Sequence, residues 1–540
     1  MADAGNVQRY AELMGRGEHE AARQFAHEAW QAAPLDAYWL NAVALALHAA
    51  GRIDEALNWM GRAIALAPER ADFHNNFGVL LRRGGHDDEA IAAYRRALAL
   101  KPHDLDALRN LTRALTQLGR EQETLAACTA FCAANPENGA ASLLAGHAAM
   151  AVRATADARR WFALACQQLP DDIETWRSLA QAAGAEDDLA ACESALREGL
   201  QRIPGHVELQ NDLGACLAAA GRYDEALAAY DAVLAVDPAH YKARYNRGTV
   251  CLRLGRWAEG WRDYESRLRF PETQRAELTA PLWDGKPLAG TLLVHAEQGL
   301  GDTLQFLRFV PQLKARCQRL ILEVQPALLP LLQGCAGVDQ LIARGQPLPA
   351  SDARIPLLSL PERLGITLEN LAQTPPYLPF ALPETPPRSA AAPLRVGLVW
   401  FGNPKHSDDR HRSLPAEALA PLMATPGVEW HSLQFGLETL PWSGVNNRGG
   451  EIADWRDTAR LIGELDLLIS VDTSVAHLAA SLGRPVWMLI AKRNDWRWLD
   501  AGETSPWYPS LHLFRQPEAG DWDSVIAQVA KALQQQISVQ

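Results

Sequence analysis

The chain has no run of about 18 apolar residues, the length a helix needs to cross a bilayer, so no membrane span is predicted. It opens MADAGNVQRYAELM, without a basic stretch leading into an apolar one, and so without the form of a secretory signal. It also lacks an excess of positive charge. The formal net charge of −12 leaves no basic footprint for general nucleic-acid binding, although a local phosphate pocket stays open. The eight cysteines include no CxxC pair. Cys128 and Cys132, four apart on one predicted helix, read as core thiols rather than metal ligands. Reduced thiols and the missing leader predict a cytoplasmic protein. At 540 residues the chain exceeds a single core, so several domains are expected.

Repetition is what the sequence does have. Pro34, Pro68, Pro102, Pro136, Pro170, Pro204 and Pro238 stand 34 residues apart. A fixed period of that size marks stacked helical hairpins of the tetratricopeptide type. Gly17, Gly51, Gly85, Gly119, Gly221 and Gly255 keep the same register and mark the turn inside each hairpin; Arg153 and Asp187 occupy the two missing beats. Proline cannot continue a helix interior, so each second helix is predicted to end beside it. Tyr94, Tyr230 and Tyr264 hold equivalent positions and are predicted to fill the core between units.

A second register is polar. Asn41, Asn75 and Asn211 are separated by multiples of 34, and Asn76, Asn110 and Asn246 follow one position later. Asparagine is a poor helix former, so its return in first helices calls for a reason. A row of amides on the inner curve of the array could hydrogen-bond an extended peptide; solvated polar positions are the plainer alternative. The row is interrupted at Arg109, Leu143, Arg177 and Tyr245.

Beyond Gly255 the composition changes. Of the 17 tryptophans, 12 lie from Trp257 onward, and alanine-rich helices give way to short apolar runs. Residues 291–295, 320–324, 395–400, 428–435, 467–471 and 485–490 read as strands. Helices are predicted over 303–314, 415–423, 455–465 and 474–482. This alternation predicts parallel α/β sheets, and the proline-rich stretch 373–393 splits them into two lobes. The expected layout is an α-solenoid of seven to eight repeats over 1–272 and a linker over 273–290. A Rossmann-type N-lobe over 291–380, an inter-lobe linker over 381–394 and a C-lobe over 395–540 complete it.

Three segments of the second half carry chemistry. In HAEQGLGDTLQFLRF (295–309), Gly299 and Gly301 allow a tight turn after a strand and Asp302 opens a helix. Asp302 is by default a helix cap; a carboxylate at a cleft can also take a proton from a hydroxyl. In VWFGNPKHSDDRHRSLP (399–415), Lys405, His406, Arg410, His411 and Arg412 crowd into eight positions. At the carboxyl end of a parallel strand such a cluster suits a diphosphate, the alternative being a solvated basic loop. In ISVDTSVAHLAASLGRPVWML (469–489), Asp472, Thr473 and Ser474 lead from a strand into a helix whose free N–H groups suit an anion. His477 lies one turn into that helix, either packed or facing phosphate.

The aromatic stretch 495–516 offers Trp496, Trp498, Trp507 and Tyr508, with Trp400 from the basic loop, for stacking on a base or sugar, and Arg497 and Arg515 for phosphate. Core packing accounts for the same residues. Asp521-Trp522-Asp523 has the form of a metal-binding DxD but stands before a final predicted helix over 525–533, and reads as a cap.

GLGDTLQ, the basic loop and VDTSVAHLAASLGRPV together resemble the ADP-heptose:lipopolysaccharide heptosyltransferases, over roughly residues 290–535. The resemblance implies a two-lobed GT-B glycosyltransferase. It implies Asp302 as catalytic base, Lys405 and Arg412 at the donor diphosphate, and Asp472, Thr473, Ser474 and His477 around the nucleotide-sugar. That family has no tetratricopeptide array, and the N-lobe here is short. The layout of repeats plus transferase resembles protein O-GlcNAc transferases, whose asparagine row the register of Asn41, Asn75 and Asn211 resembles. The reading is an inverting transferase moving a sugar from a nucleotide-diphosphate donor to a protein or peptide held by the repeats. No cofactor or metal is expected, and the repeats offer a route to oligomers. The alternative is a non-catalytic scaffold with a degenerate nucleotide-binding domain.

Overall fold

A computed structural model describes residues 3–371, 375–383, 389, 392–405 and 409–538. His406 and part of the 381–394 linker lie outside the described residues. The chain forms two compact units, Met1–Ala220 and Gly221–Gln540.

The first unit is helical from Ala4–Gly15 to Val207–Ala219. Its period is written in the backbone. Gly17, Gly51, Gly85 and Gly119 all have φ between 67° and 82°, and Arg153 and Asp187 are forced to the same left-handed conformation at 62° and 60°. The residue before each proline, from Ala33 to Ile203, is extended in φ (−126° to −138°), as the proline ring demands. Two residues after four of these prolines, Asp36, Asp104, Asn138 and Asp172 cap the next helix through their side chains. A left-handed arginine is strained by about 1–2 kcal/mol, partly offset by the greater entropy a glycine loses on folding. Arg153→Gly should therefore stabilise this unit by roughly 0.5–1 kcal/mol. A higher urea midpoint at unchanged m-value would show it; an unchanged midpoint would mean the arginine is at ease there.

Tyr94 is fully buried, in a core cluster that runs from its own hairpin to Leu111, Ala114 and Leu115 of the next unit, as its spacing suggests. It lies on Gly78 of its own hairpin, where an added Cβ would stand 2.5 Å from the ring. Phe162 lies on Gly146 in the same way, at 2.3 Å.

The second unit opens with the helices Tyr223–Val236, Tyr241–Arg253 and Trp257–Tyr264. A parallel sheet follows, built from β1 (Leu288–His295), β2 (Cys317–Val324), β3 (Gln340–Ala343) and β4 (Ala353–Pro356) in the order β3-β2-β1-β4. The first strand begins inside the expected 273–290 linker. The second sheet contains β5 (Leu394–Val399), β6 (Val428–Ser432), β7 (Val445–Asn447), β8 (Leu467–Val471), β9 (Val486–Ile490) and β10 (Leu511–Arg515). Its order, β10-β9-β8-β5-β6-β7, is parallel throughout. Counted from β5 this is the 3-2-1-4-5-6 arrangement of a doubly wound sheet, whose direction of winding reverses between β5 and β8.

One apolar core joins the helix Trp257–Tyr264 to both sheets, through Leu292 and Val294 on one side and Ala476 and Val486 on the other. The helix expected over 303–314 is instead Leu300–Phe306 followed by shorter turns. No helix among the described residues is long and apolar enough to cross a membrane.

Candidate functional site

Four loops leave the carboxyl ends of strands and converge. The turn after β1 carries Gly299, Gly301 and Asp302; the loop after β5 carries Lys405 and Arg412; the turn after β8 carries Asp472, Thr473 and Ser474. The loop after β9 carries Asp495, Arg497 and Trp498. In a doubly wound sheet the crevice between diverging loops forms where the winding reverses, which here means the loops after β5 and β8.

The two lobes meet at Gly301. A Cβ there would stand 2.8 Å from Cδ2 of His477, so only glycine lets the first turn approach this closely. Asp302 is 19% exposed. The helix Leu300–Phe306 is capped by Gly299, so Asp302 is not the cap its place in the sequence suggested but the third helical residue. Its Oδ2 reaches back to accept from the Gly299 backbone N–H at 2.7 Å, and its Oδ1 accepts from Nη2 of Arg497. Arg497 is only 7% exposed and is shared: Nη1 donates to Asp495 Oδ1 and Nε to Gln305 Oε1, both at 2.8 Å. Burial works to raise Asp495, but the guanidinium beside it prevails and holds the carboxyl below its ordinary range.

On the facing wall, Thr473 caps the helix Ser474–Ser481 through its side chain, which also bonds Ser470 Oγ at 3.0 Å. Ser474 is half-buried at the first helical position. Arg412 Nη1 donates to the Asp472 carbonyl at 3.2 Å and Nε to Asp409 Oδ1 at 3.1 Å, which brings a cation to this helix start. Lys405 is exposed. Asp472, 22% exposed in its side chain, accepts from Trp498 Nε1 at 2.8 Å. Burial first, and then the Asp495 carboxylate, push Asp472 up to about 6. His477 pairs with the Tyr508 hydroxyl at 2.9 Å; burial, and then Arg497, bring it down to about 3 and keep it neutral.

The expected stacking residues are spent on packing. Trp400 is buried against Phe401 and Trp442. Trp496 is buried against Trp261 and Tyr264, and Trp498 against His477. None offers a free face. Arg515 is spent too, on the carbonyls of Trp498, Leu499 and Gly502. Trp507 and Tyr508 are fully buried as well, Trp507 stacked on Trp257 and Tyr508 against His477. Asp495 stands out in the sequence only by its place two residues before Arg497. Leu499 adopts φ 57° and ψ −176°, a region that is essentially glycine's and costs a leucine about 1–3 kcal/mol. Asp521 is the cap its position implied, accepting from Ser524 N–H at 3.0 Å.

The tetratricopeptide repeat model matches residues 49–104, 75–134, 177–235 and 212–271. The helical half carries tetratricopeptide repeats. Protein FlbA of Caulobacter vibrioides is 27% identical over 441 residues, 67% of this chain and 73% of FlbA. That share exceeds the helical half, so the similarity runs into the α/β half. Among solved structures, the C-terminal part of a TPR repeat-containing protein from Cytophaga hutchinsonii is 17% identical with a TM-score of 0.38. It covers 44% of this chain and 98% of that one. YrrB, described as a TPR protein with an unusual peptide-binding site, is 21% identical with a TM-score of 0.29, covering 34% and 95%.

Within the tetratricopeptide repeats the asparagines bond one another. Asn76 Nδ2 donates to Asn41 Oδ1 at 3.0 Å and Asn110 Nδ2 to Asn75 Oδ1 at 2.9 Å, each pair 35 residues apart. Arg177 and Asp212 form the same link as an ion pair at 2.6 Å. Asn41 and Asn211 are buried, and Asn211 donates to Asp212. Two of the register's steps are therefore bonds between successive units, while Asn211 is bonded within its own helix.

Proposed function

We propose that the α/β half is an inverting glycosyltransferase of GT-B type, cytoplasmic, and that the repeats recruit a protein acceptor to it. The observation that carries this reading is the convergence at Gly301. A carboxylate turn from one parallel sheet lies against the reversal point of a doubly wound sheet, with a helix start and Arg412 at that point.

In the proposed reaction Asp302 takes the proton of the acceptor hydroxyl, and that oxygen attacks the anomeric carbon of the donor. The bond from carbon to the diphosphate oxygen breaks on the opposite side, with inversion, and the nucleoside diphosphate departs with the electron pair. Arg412, Lys405 and the N–H groups opening the helix Ser474–Ser481 offset its charge. Thr473, Ser474, Asp472 and His477 line its seat. A carboxylate has about four lone-pair sites, so the bonds from Gly299 and Arg497 leave Asp302 room for a hydroxyl.

Asp302→Ala should reduce sugar transfer at least about a hundredfold, the lower end of the range for removing a general base. It should leave binding of a nucleoside diphosphate intact by calorimetry. Retained turnover would remove Asp302 from the base role. The engagement of both Asp302 oxygens favours a second reading, a scaffold whose α/β half binds nucleotide without turnover. Hydrolysis of nucleotide-sugars by the purified chain separates the two.

A further inference from the structure

The last helical hairpin does more than end the array. Arg253, on the helix Tyr241–Arg253, reaches the loop after β9: Nη1 donates to Asn494 Oδ1 at 2.9 Å, and Nη2 donates to the Asn494 carbonyl. Asn494 immediately precedes Asp495, and the loop then carries Arg497, the partner of Asp302. On the opposite jaw, Gln298 Nε2 donates to the Tyr264 hydroxyl at 3.0 Å, one residue before Gly299. Arg267 grips Glu297 in the same turn. The repeats thus hold both turns that meet at the ion pair between Asp302 and Arg497, through Glu297 and Gln298 on one side and Asn494 on the other.

The loop needs to be held. Leu499 sits in a backbone region that persists only where surrounding structure over-determines it. Arg515 binds the carbonyls of Trp498, Leu499 and Gly502 at one end of the loop, and Arg253 binds Asn494 at the other. Arg497 lies between the two anchors.

We infer that Arg253 is a positioning residue of the α/β site: the final tetratricopeptide hairpin sets the Asn494–Leu499 loop, and through Arg497 it sets Asp302. The inference rests on the transferase reading for its catalytic consequence. Its structural half stands on the contacts of Arg253 alone. Arg253 spends its donors on Asn494 and is not among the residues of the proposed donor seat, so binding of the donor does not depend on it.

The test uses the full chain. Arg253→Gln should lower kcat about ten- to a hundredfold, the penalty for an ångström-scale misplacement, with KM for the donor sugar-nucleotide unchanged. Arg253→Lys, which restores a single charged donor, should recover part of the loss. Hydrogen exchange at residues 494–499 should quicken in the glutamine variant while the repeat helices keep their protection. Arg256→Gln is the control. It lies on the next turn of the same hairpin, with a distant exposed pairing to Asp224 at 3.7 Å, and should match the wild type in both measurements. Unchanged exchange at 494–499, or an unchanged kcat in an active protein, overturns the inference. A wild-type chain that turns over no nucleotide-sugar overturns the transferase reading and with it the catalytic half, while the exchange result still decides the structural half.

Discussion

Replacing Arg267 with methionine is expected to destabilise the Gly221–Gln540 unit by about 3–5 kcal/mol, the usual effect of stripping one member from a buried ion pair. Arg267 is 2% exposed. Its guanidinium meets Glu265 and Glu297 at 2.6 Å each and Ser359 Oγ at 2.8 Å. Glu297 follows β1 and Ser359 follows β4, so the arginine fills the place where the first sheet reverses its own winding. Methionine keeps much of the volume but leaves two carboxylates facing each other in poor solvent. The measurement is a urea titration followed by tryptophan fluorescence, which this unit carries in abundance. Adding Glu297→Gln to the variant should recover part of the loss. A single variant within 1 kcal/mol of wild type would show that water reaches these carboxylates.

Acid should destabilise the same unit through two histidines. His295 is buried at the end of β1 with neither ring nitrogen bonded among the described residues. Burial, and then Arg275 and Arg354, bring it down to about 3, as burial and Arg497 do for His477. A histidine whose folded value is depressed contributes stability that is present above its unfolded value near 6.5 and lost as pH falls towards the folded one. Each proton is worth about 1.4 kcal/mol per pH unit, so the pair gives about 2.7 kcal/mol per unit at most. Asp472 opposes them. Its folded value is raised, so folding gains as pH falls from about 6 towards the ordinary aspartate range. Between pH 6 and 4 the three groups leave a net loss of about 1.4 kcal/mol per unit. Asp472→Asn removes the opposing member, and its stability advantage over wild type should be present at pH 7 and vanish by pH 4. Denaturant midpoints across that range decide it; an advantage that persists at pH 4 would mean Asp472 was never the group titrating.

Much of the architecture could be read before the structure because it repeats. The prolines and left-handed turns are local demands of backbone chemistry, and they surface as a fixed period. β8 could be read to the residue because a fully buried strand is a continuous apolar run bounded by charge. By contrast β3, β4, β7 and β10 were missed. Each is short, and β4 and β10 carry arginines or a histidine whose partners come from elsewhere in the fold. The helix expected over 303–314 breaks because Arg308 turns inward, donating to the Trp507 carbonyl at 2.6 Å and to the Gln305 carbonyl at 2.9 Å. At the site, the turns after β1 and β8 were visible as glycine and hydroxyl chemistry on strand ends. The fate of each side chain was not. Composition cannot tell that Trp496 packs on Trp261, or that Asn41 and Asn75 each accept from an asparagine of the next unit.

The shared core of the second unit bears on how such a crevice can work. Trp257 stacks on Trp507 at 4.8 Å, and Trp261 touches both Phe306 and Trp496. One helix is thus wedged behind both walls. Each such ring buries about 150–250 Å², worth about 4–6 kcal/mol at 25 cal/mol per Å². Swinging the walls apart like a clam would wet several of these rings at once, more than a domain's whole net stability of about 5–15 kcal/mol can bear. Entry and exit of any small molecule must therefore run through rearrangement at the rim, with the back of the crevice staying shut.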